Sequence, residues 1–159
     1  MVMNTFKSFI SLMAAIAALS ACASCASENK MKTYYGVYEF ISAEKYRGGL
    51  TTQEEANKRI GGLITLCPTS FTDGDYVIAK PVYKNSRGSL SKEEGVVSSD
   101  KNSAFYGFMS DREHIEYISI FEPDDTKNIY SRYEVIGNNM LMESYDGFFF
   151  KMTLKSTCN

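Results

Sequence analysis

The residues able to do covalent chemistry in this 159-residue chain are few: four cysteines and a single histidine. Cys22 has the most telling surroundings. It closes the stretch Leu19-Ser20-Ala21-Cys22, which follows a small cationic start at Lys7 and an apolar run from Phe9 to Leu19. These are the parts of an export signal, and a cysteine at its end reads as a lipobox. The expected chemistry is thioether attachment of a diacylglycerol, cleavage that makes Cys22 the first mature residue, and a third acyl chain on its new amine. The apolar core is shorter than the ~20 residues a spanning helix needs. Two or three chains, at about 0.8 kcal/mol per buried methylene, hold far more firmly than one myristoyl group. The alternative is cleavage by the general signal peptidase after Ala21-Cys22-Ala23, which releases a soluble exported protein.

Export sets the redox compartment for the other thiols. With Cys22 lipidated, Cys25 falls unpaired in a tether, while an oxidising envelope favours a disulfide between Cys67 and Cys158. Closing that loop contributes about 2 to 4 kcal/mol and pins the C-terminus. Ala23 and Ser24 supply no Asp after Cys22, so by resemblance to known sorting behaviour the anchor is an outer-membrane one if the cell is Gram-negative.

The histidine is less informative. His114 lies between Glu113 and Glu116, and acid-base catalysis would need a nucleophile or a metal beside it. A solvated residue at a strand edge is the simpler reading, so a hydrolytic enzyme is the weakest of the functional classes and no catalytic residue is nominated. Asp73, Asp75, Asp124, Asp125 and Asp146 coincide with turns, where Asp is favoured for backbone reasons. Asp73-Gly74-Asp75 lacks the distant bidentate Glu of an EF-hand, and no metal or cofactor is expected. The net charge of −2, with no basic block, argues against nucleic acid.

The elements that position these residues are mostly strands. Residues 1–21 read as the lipoprotein signal peptide, 22–32 as a flexible tether, and 33–159 as a single antiparallel β domain. Eleven Tyr and ten Phe with only three Pro favour strands. From Thr33 to Ile41, Tyr34, Gly36, Tyr38 and Phe40 alternate with Tyr35, Val37, Glu39 and Ile41. Between Gly48-Gly49 and Gly61-Gly62, a capping box at Thr51 with Glu54 or Thr52 with Glu55 predicts one short helix. That glycine pair lacks the Gly-Lys-Ser/Thr ending of a phosphate loop and reads as an entry turn. Leu63 to Cys67 and Tyr76 to Ala79 follow as strands. Lys84 to Arg112 reads as a long irregular stretch, a candidate lid or partner-facing loop. His114 to Phe121, Asn128 to Ile136, Met140 to Glu143 and Phe148 to Leu154 form a meander; in the last, Phe148, Phe150, Met152 and Leu154 share the core face and the opposite face is mostly wet. Met140, Met142 and Met152 read as ordinary packing.

A twisted meander of this length removes its edges by curling into a barrel or half-barrel. The first strand, Gly48 to Gly61, Pro81-x-Tyr83, and Met142-x-x-x-Asp-Gly-Phe-Phe-Phe ending at Phe150 together resemble small bacterial lipoproteins with a lipocalin-like, calycin-type barrel domain. Gly36-Val37-Tyr38 stands nearest to the Gly-x-Trp of lipocalins, and the chain has no Trp. The resemblance implies a mainly β, up-and-down antiparallel barrel with a helix near one end and an apolar interior that admits a ligand. Two functions follow as expectations. One is a membrane-tethered, non-catalytic module binding a small apolar or amphipathic molecule in the interior. The other is an interaction or inhibitor lipoprotein presenting the 84–112 region to an envelope protein.

Overall fold

The computed structural model describes residues 30–89, 102–109 and 111–158; Cys22 and Cys25, the signal peptide, most of the tether and residues 90–101 lie outside them. The chain divides between Thr33 and Tyr34. Before the division, Thr33 Oγ1 donates to the Lys30 carbonyl.

From Tyr34 onward, alternating apolar residues build one antiparallel sheet that curls into a half-barrel. Its strands are β1 (Gly36–Lys45), β2 (Leu63–Cys67), β3 (Ser70–Asp73), β4 (Tyr76–Ala79), β5 (Val82–Ser89), β6 (His114–Phe121), β7 (Ser131–Gly137), β8 (Met140–Tyr145) and β9 (Phe148–Thr157). They lie in the order β4-β3-β2-β1-β9-β8-β7-β6-β5. The first and last strands therefore pair at the centre, with register shifts at Val37/Tyr38 and Phe40/Ser42; extra residues of this kind bend a strand and raise its twist. The curl brings the two wings face to face, so that the Phe71 ring of β3 lies 6.2 Å from Tyr133 of β7.

Closure follows from strand parity. In a series of nine strands with every neighbour antiparallel, the two end strands run in the same direction. Those ends are β4 and β5, consecutive in the chain and separated by Lys80 and Pro81 alone. One bent stretch thus pairs with β3 through its first part and with β6 through its second. Lys80 makes the kink at φ +51, and its N–H donates to the Thr69 carbonyl at 2.9 Å. Past the kink, the Tyr83 hydroxyl reaches the carbonyls of Cys67 at 3.0 Å and Ser70 at 3.3 Å. Side-chain bonds thereby stand in where the ladder changes partner.

The concave face is packed with large side chains. Tyr38, Phe71, Tyr133, Phe148, Phe150, Ile64, Leu66, Ile118, Ile120 and Leu141 are fully buried; in β1 and β2 buried residues alternate with less buried ones, as the period-two pattern requires. The interior that the lipocalin likeness offered to a ligand is occupied by these groups.

Two expectations are corrected. The opposite face of β9 is not mostly wet: Phe149 is buried, stacked on Tyr46 at 4.0 Å and covered by Phe108 at 5.7 Å. The stretch 84–112 is not one loop, because its first residues belong to β5. Residues 102–109 carry a helical turn, α2 (Asn102–Phe105), held down by Arg112, which pairs with Glu134 of β7 and donates to Ser103 Oγ at 3.0 Å. The expected helix is α1 (Gln53–Asn57), whose capping box is formed by Thr52 and Glu55; α2 and a 3-10 turn at Lys32–Tyr34 are further helical segments among the described residues.

Candidate functional site

Between β7 and β8 the ladder stops well before the strands end. β7 and β8 pair at Glu134↔Met142, Val135↔Leu141 and Gly137↔Met140, and no further. Continuing the register would set Arg132 opposite Ser144, but there the strands splay, each still held by its other neighbour: β7 to β6 as far as Ser131, and β8 to β9 as far as Tyr145. The gap is a half-open cleft of about 300 Å³ lined by Tyr117, Ile129, Tyr130, Ser131, Arg132, Glu134, Met142, Glu143, Ser144 and Tyr145. Strand alternation explains this mixture. Arg132, Glu134, Met142 and Ser144 project on the convex side, in register with Ser119, Tyr117, Lys151 and Phe149, whereas Glu143 and Tyr145 project inward.

The inner wall of the cleft is a buried ionic cluster. Arg59, two residues beyond α1, pairs with Glu143 at 2.8 Å and lies 3.8 Å from Asp73 of β3. Its guanidinium sits between the rings of Phe40 and Phe150, 4.4 Å from each, and 6.0 Å from Tyr145. Burial raises the pKa of Glu143; Arg59 opposes that rise and the charge of Asp73 adds to it. Tyr133, buried alongside, is pushed well above the ordinary tyrosine value, chiefly by burial. An ion pair so placed fixes α1 and β3 against β8 more than it stabilises the fold, because desolvation consumes most of its Coulomb energy.

The rim is aromatic. Tyr76 and Tyr130 stack at 4.4 Å, Phe71 meets Tyr130 edge-on at 5.8 Å, and Tyr76 donates to Glu122. Tyr130 and Tyr145, 39% and 56% exposed, line the opening, and Tyr76, 41% exposed, stacks beside Tyr130. The hairpin that carries Tyr145 is fixed by the Asp146-Gly147 turn, in which both residues have positive φ, 41° and 86°, the favoured geometry for a two-residue Asp-Gly loop. Asp146 also accepts from Thr51 N–H, which ties the turn to the Gly48-Gly49 loop; the Thr51 side chain first, and then the Thr51 and Leu50 backbone, lower its pKa.

Of the residues singled out in the sequence, Cys67 and Cys158 are joined by a disulfide with Cα atoms 5.8 Å apart, fastening the end of β9 to β2. His114 opens β6, 3.9 Å from Glu113, with no hydroxyl or thiol hydrogen-bonded to it among the described residues. Asp73 turns inward to Arg59 and Asp75 stays in the β3–β4 turn; among the described residues no group of three or more His, Cys, Asp or Glu converges as a metal site. Met152 and Met142 are both buried in the core, as expected of packing, and Met142 also lines the cleft. The cleft and Arg59 had no place in the sequence reading. One signal was available: Glu143 follows Leu141 by two on a strand whose partner residue is Phe150, and a carboxylate on an apolar face demands a buried cation. Comparison with protein-family models, curated proteins and solved structures finds no match to this chain.

Proposed function

We propose that this chain is a non-catalytic binding module of the cell envelope, anchored through an acylated Cys22, and that it takes a small amphipathic ligand in the cleft between β7 and β8. The observation that carries the reading is the cleft itself. Its volume of about 300 Å³ is at the lower end for small-molecule sites, and it combines apolar and aromatic walls with a few polar groups, as such sites do. The half-barrel is compatible with a lipocalin-like fold, and we take the chain as a lipocalin-like lipoprotein whose ligand sits in a parting of the wall, since large side chains fill the centre. Ile129, Tyr130, Met142 and Tyr145 supply the apolar contact.

The anchor is tested by fractionation: the Cys22→Ser chain should leave the membrane fraction, and unchanged partitioning removes the anchor. The cleft is tested by titrating phenylpropionamide, a small neutral amphiphile, into the whole chain in mild detergent with a detergent blank. Tyr145→Ala should weaken binding severalfold; equal binding by the variant removes the cleft as its site.

A second reading is favoured by the exposed rings of Tyr76, Tyr130 and Tyr145, because tyrosine is enriched among the residues that dominate protein interfaces. In that case the rim, and not residues 84–112 as a loop, meets an envelope protein. A cross-link trapped at Tyr76 in intact membranes, together with no binding of the small probe, would select it.

A further inference from the structure

We infer that the ligand of this cleft carries an oxyanion, a carboxylate or a phosphate, and that Arg132 is the fork that receives it. The inference rests on the cleft being the binding site.

Charge bookkeeping around the opening leads to it. Of the three ionic residues lining the cleft, Glu134 is neutralised by Arg112 and Glu143 by Arg59. Arg132 alone has no carboxylate partner among the described residues. Its guanidinium is oriented all the same. Nε lies 3.4 Å from Ser119 Oγ and the plane sits 5.0 Å from the Tyr117 ring, so one edge and one face are engaged on the β6 side. The two terminal nitrogens have no hydrogen-bond partner among the described residues. A guanidinium held by Nε and by stacking, with its terminal nitrogens left over, presents the paired donors that match two oxygens of a carboxylate or phosphate. Lysine would offer no such fork.

The splayed strands complete the site. Beyond Glu134↔Met142, the backbone groups that β7 and β8 would have exchanged have no ladder partner, and in an antiparallel pair every second residue turns its N–H and C=O toward the neighbour. The hydroxyls of Ser131 and Ser144 border the same gap. An oxyanion at Arg132 therefore finds polar donors beneath it, while the body of the ligand lies against Tyr130, Tyr145 and Met142.

The test is calorimetric titration of the whole chain in mild detergent, detergent blank subtracted, with phenylpropionate, phenyl phosphate and phenylpropionamide. At least one anion should bind about tenfold or more tightly than the amide, since a hydrogen bond to a charged group contributes about 1.5–3 kcal/mol; whichever anion is preferred identifies the headgroup chemistry. Arg132→Gln should abolish that preference, bringing the anions down to the level of the amide, and Arg132→Lys should restore only part of it. An unfolding midpoint for both variants equal to the parent's shows that the fold is intact. If the amide binds as tightly as both anions, or if the preference survives in Arg132→Gln, the oxyanion is wrong and the cleft stands. If no probe binds, or Tyr145→Ala leaves all three unaffected, the cleft itself is wrong.

Discussion

Replacing Arg59 by Met separates the charge of that residue from its bulk and gives a pH-dependent result. The Met chain keeps most of the packing between Phe40 and Phe150, where the guanidinium now sits 4.4 Å from each ring. What it removes is the cation facing Glu143, whose side chain is 12% exposed against 28% for Arg59. Burial already lifts the folded carboxyl above the unfolded value of 4.5, so folding favours the protonated form. The stability attached to this group is then complete below the unfolded pKa and is lost as pH rises through the folded one. Arg59 limits that loss. Without it the folded pKa climbs further, at 1.36 kcal/mol per unit, and the destabilisation of the variant grows with pH. At about pH 4, with Glu143 protonated, only ring contacts are lost, about 1 kcal/mol. At about pH 8 an uncompensated carboxylate adds to it; the 3–5 kcal/mol expected for a fully buried pair is reduced by the partial exposure of Arg59, giving about 2–3 kcal/mol in total. Urea unfolding at the two pH values, disulfide intact, measures the difference. A destabilisation equal at both, or larger in acid, would refute the argument that desolvation governs Glu143.

Three further outcomes follow from the same geometry. Cys158→Ser should lower stability by about 2–4 kcal/mol and raise amide exchange toward the end of β9; a variant matching the reduced parent but not the oxidised one is the expected signature, and equality with the oxidised parent sinks the pairing. Gly147→Ala should cost about 1–3 kcal/mol in urea, because φ is +86° and a Cβ would meet the Arg47 carbonyl at 2.7 Å; a neutral substitution would mean the turn is not built this way. Tyr83→Phe keeps the edge-on contact with Tyr35 at 5.6 Å but removes the hydroxyl from the seam. About 1 kcal/mol should be lost, with faster exchange confined to β2, β3 and β4, and uniform acceleration across the sheet would show that the seam is not a separate opening unit.

The legible parts of the fold are those in which local pattern and tertiary role agree. β2 and β6 lie where the alternation and turn signals put them, at Leu63–Cys67 and His114–Phe121, because each has apolar residues on an inward face and a strong stop. β3 escaped notice because it is four residues with Phe71 as its one large apolar side chain. β5 escaped because Lys84, Asn85, Ser86 and Arg87 spell a loop; Asn85 is nevertheless in the ladder with Ile118 and donates to Glu116 at 2.7 Å, a polar strand accepted where the sheet changes partner. The wet face assigned to Phe149 and Lys151 failed for a long-range reason, since the aromatic cover comes from Phe108 and Tyr46, far earlier in the chain. The cleft was beyond reach altogether. Every residue lining it is unexceptional alone, and the cleft exists only because the β7–β8 ladder ends three pairs before its strands do.

Strand count supports placing the proposed binding site in that parting. Treating β4 and β5 as one bent strand turns the nine strands into eight, and an eight-stranded barrel is about wide enough for either a full set of side chains or one small ligand. Here the choice is made by residue volume: Tyr38, Phe71, Tyr133, Phe148 and Phe150 all point into the same space and are fully buried. Such close packing resists entry, because removing any one ring to admit a guest costs about 3–5 kcal/mol. Parting the wall carries a smaller penalty. The backbone groups left over between β7 and β8 can be hydrated from a half-open cleft, and a ligand that replaces this water exchanges hydrogen bonds at nearly constant number. The rigid interior and the unpaired seam are thus complementary: Arg59 and the filled core hold β8 in place from within, which keeps open on the outside a gap that free strands would zip shut.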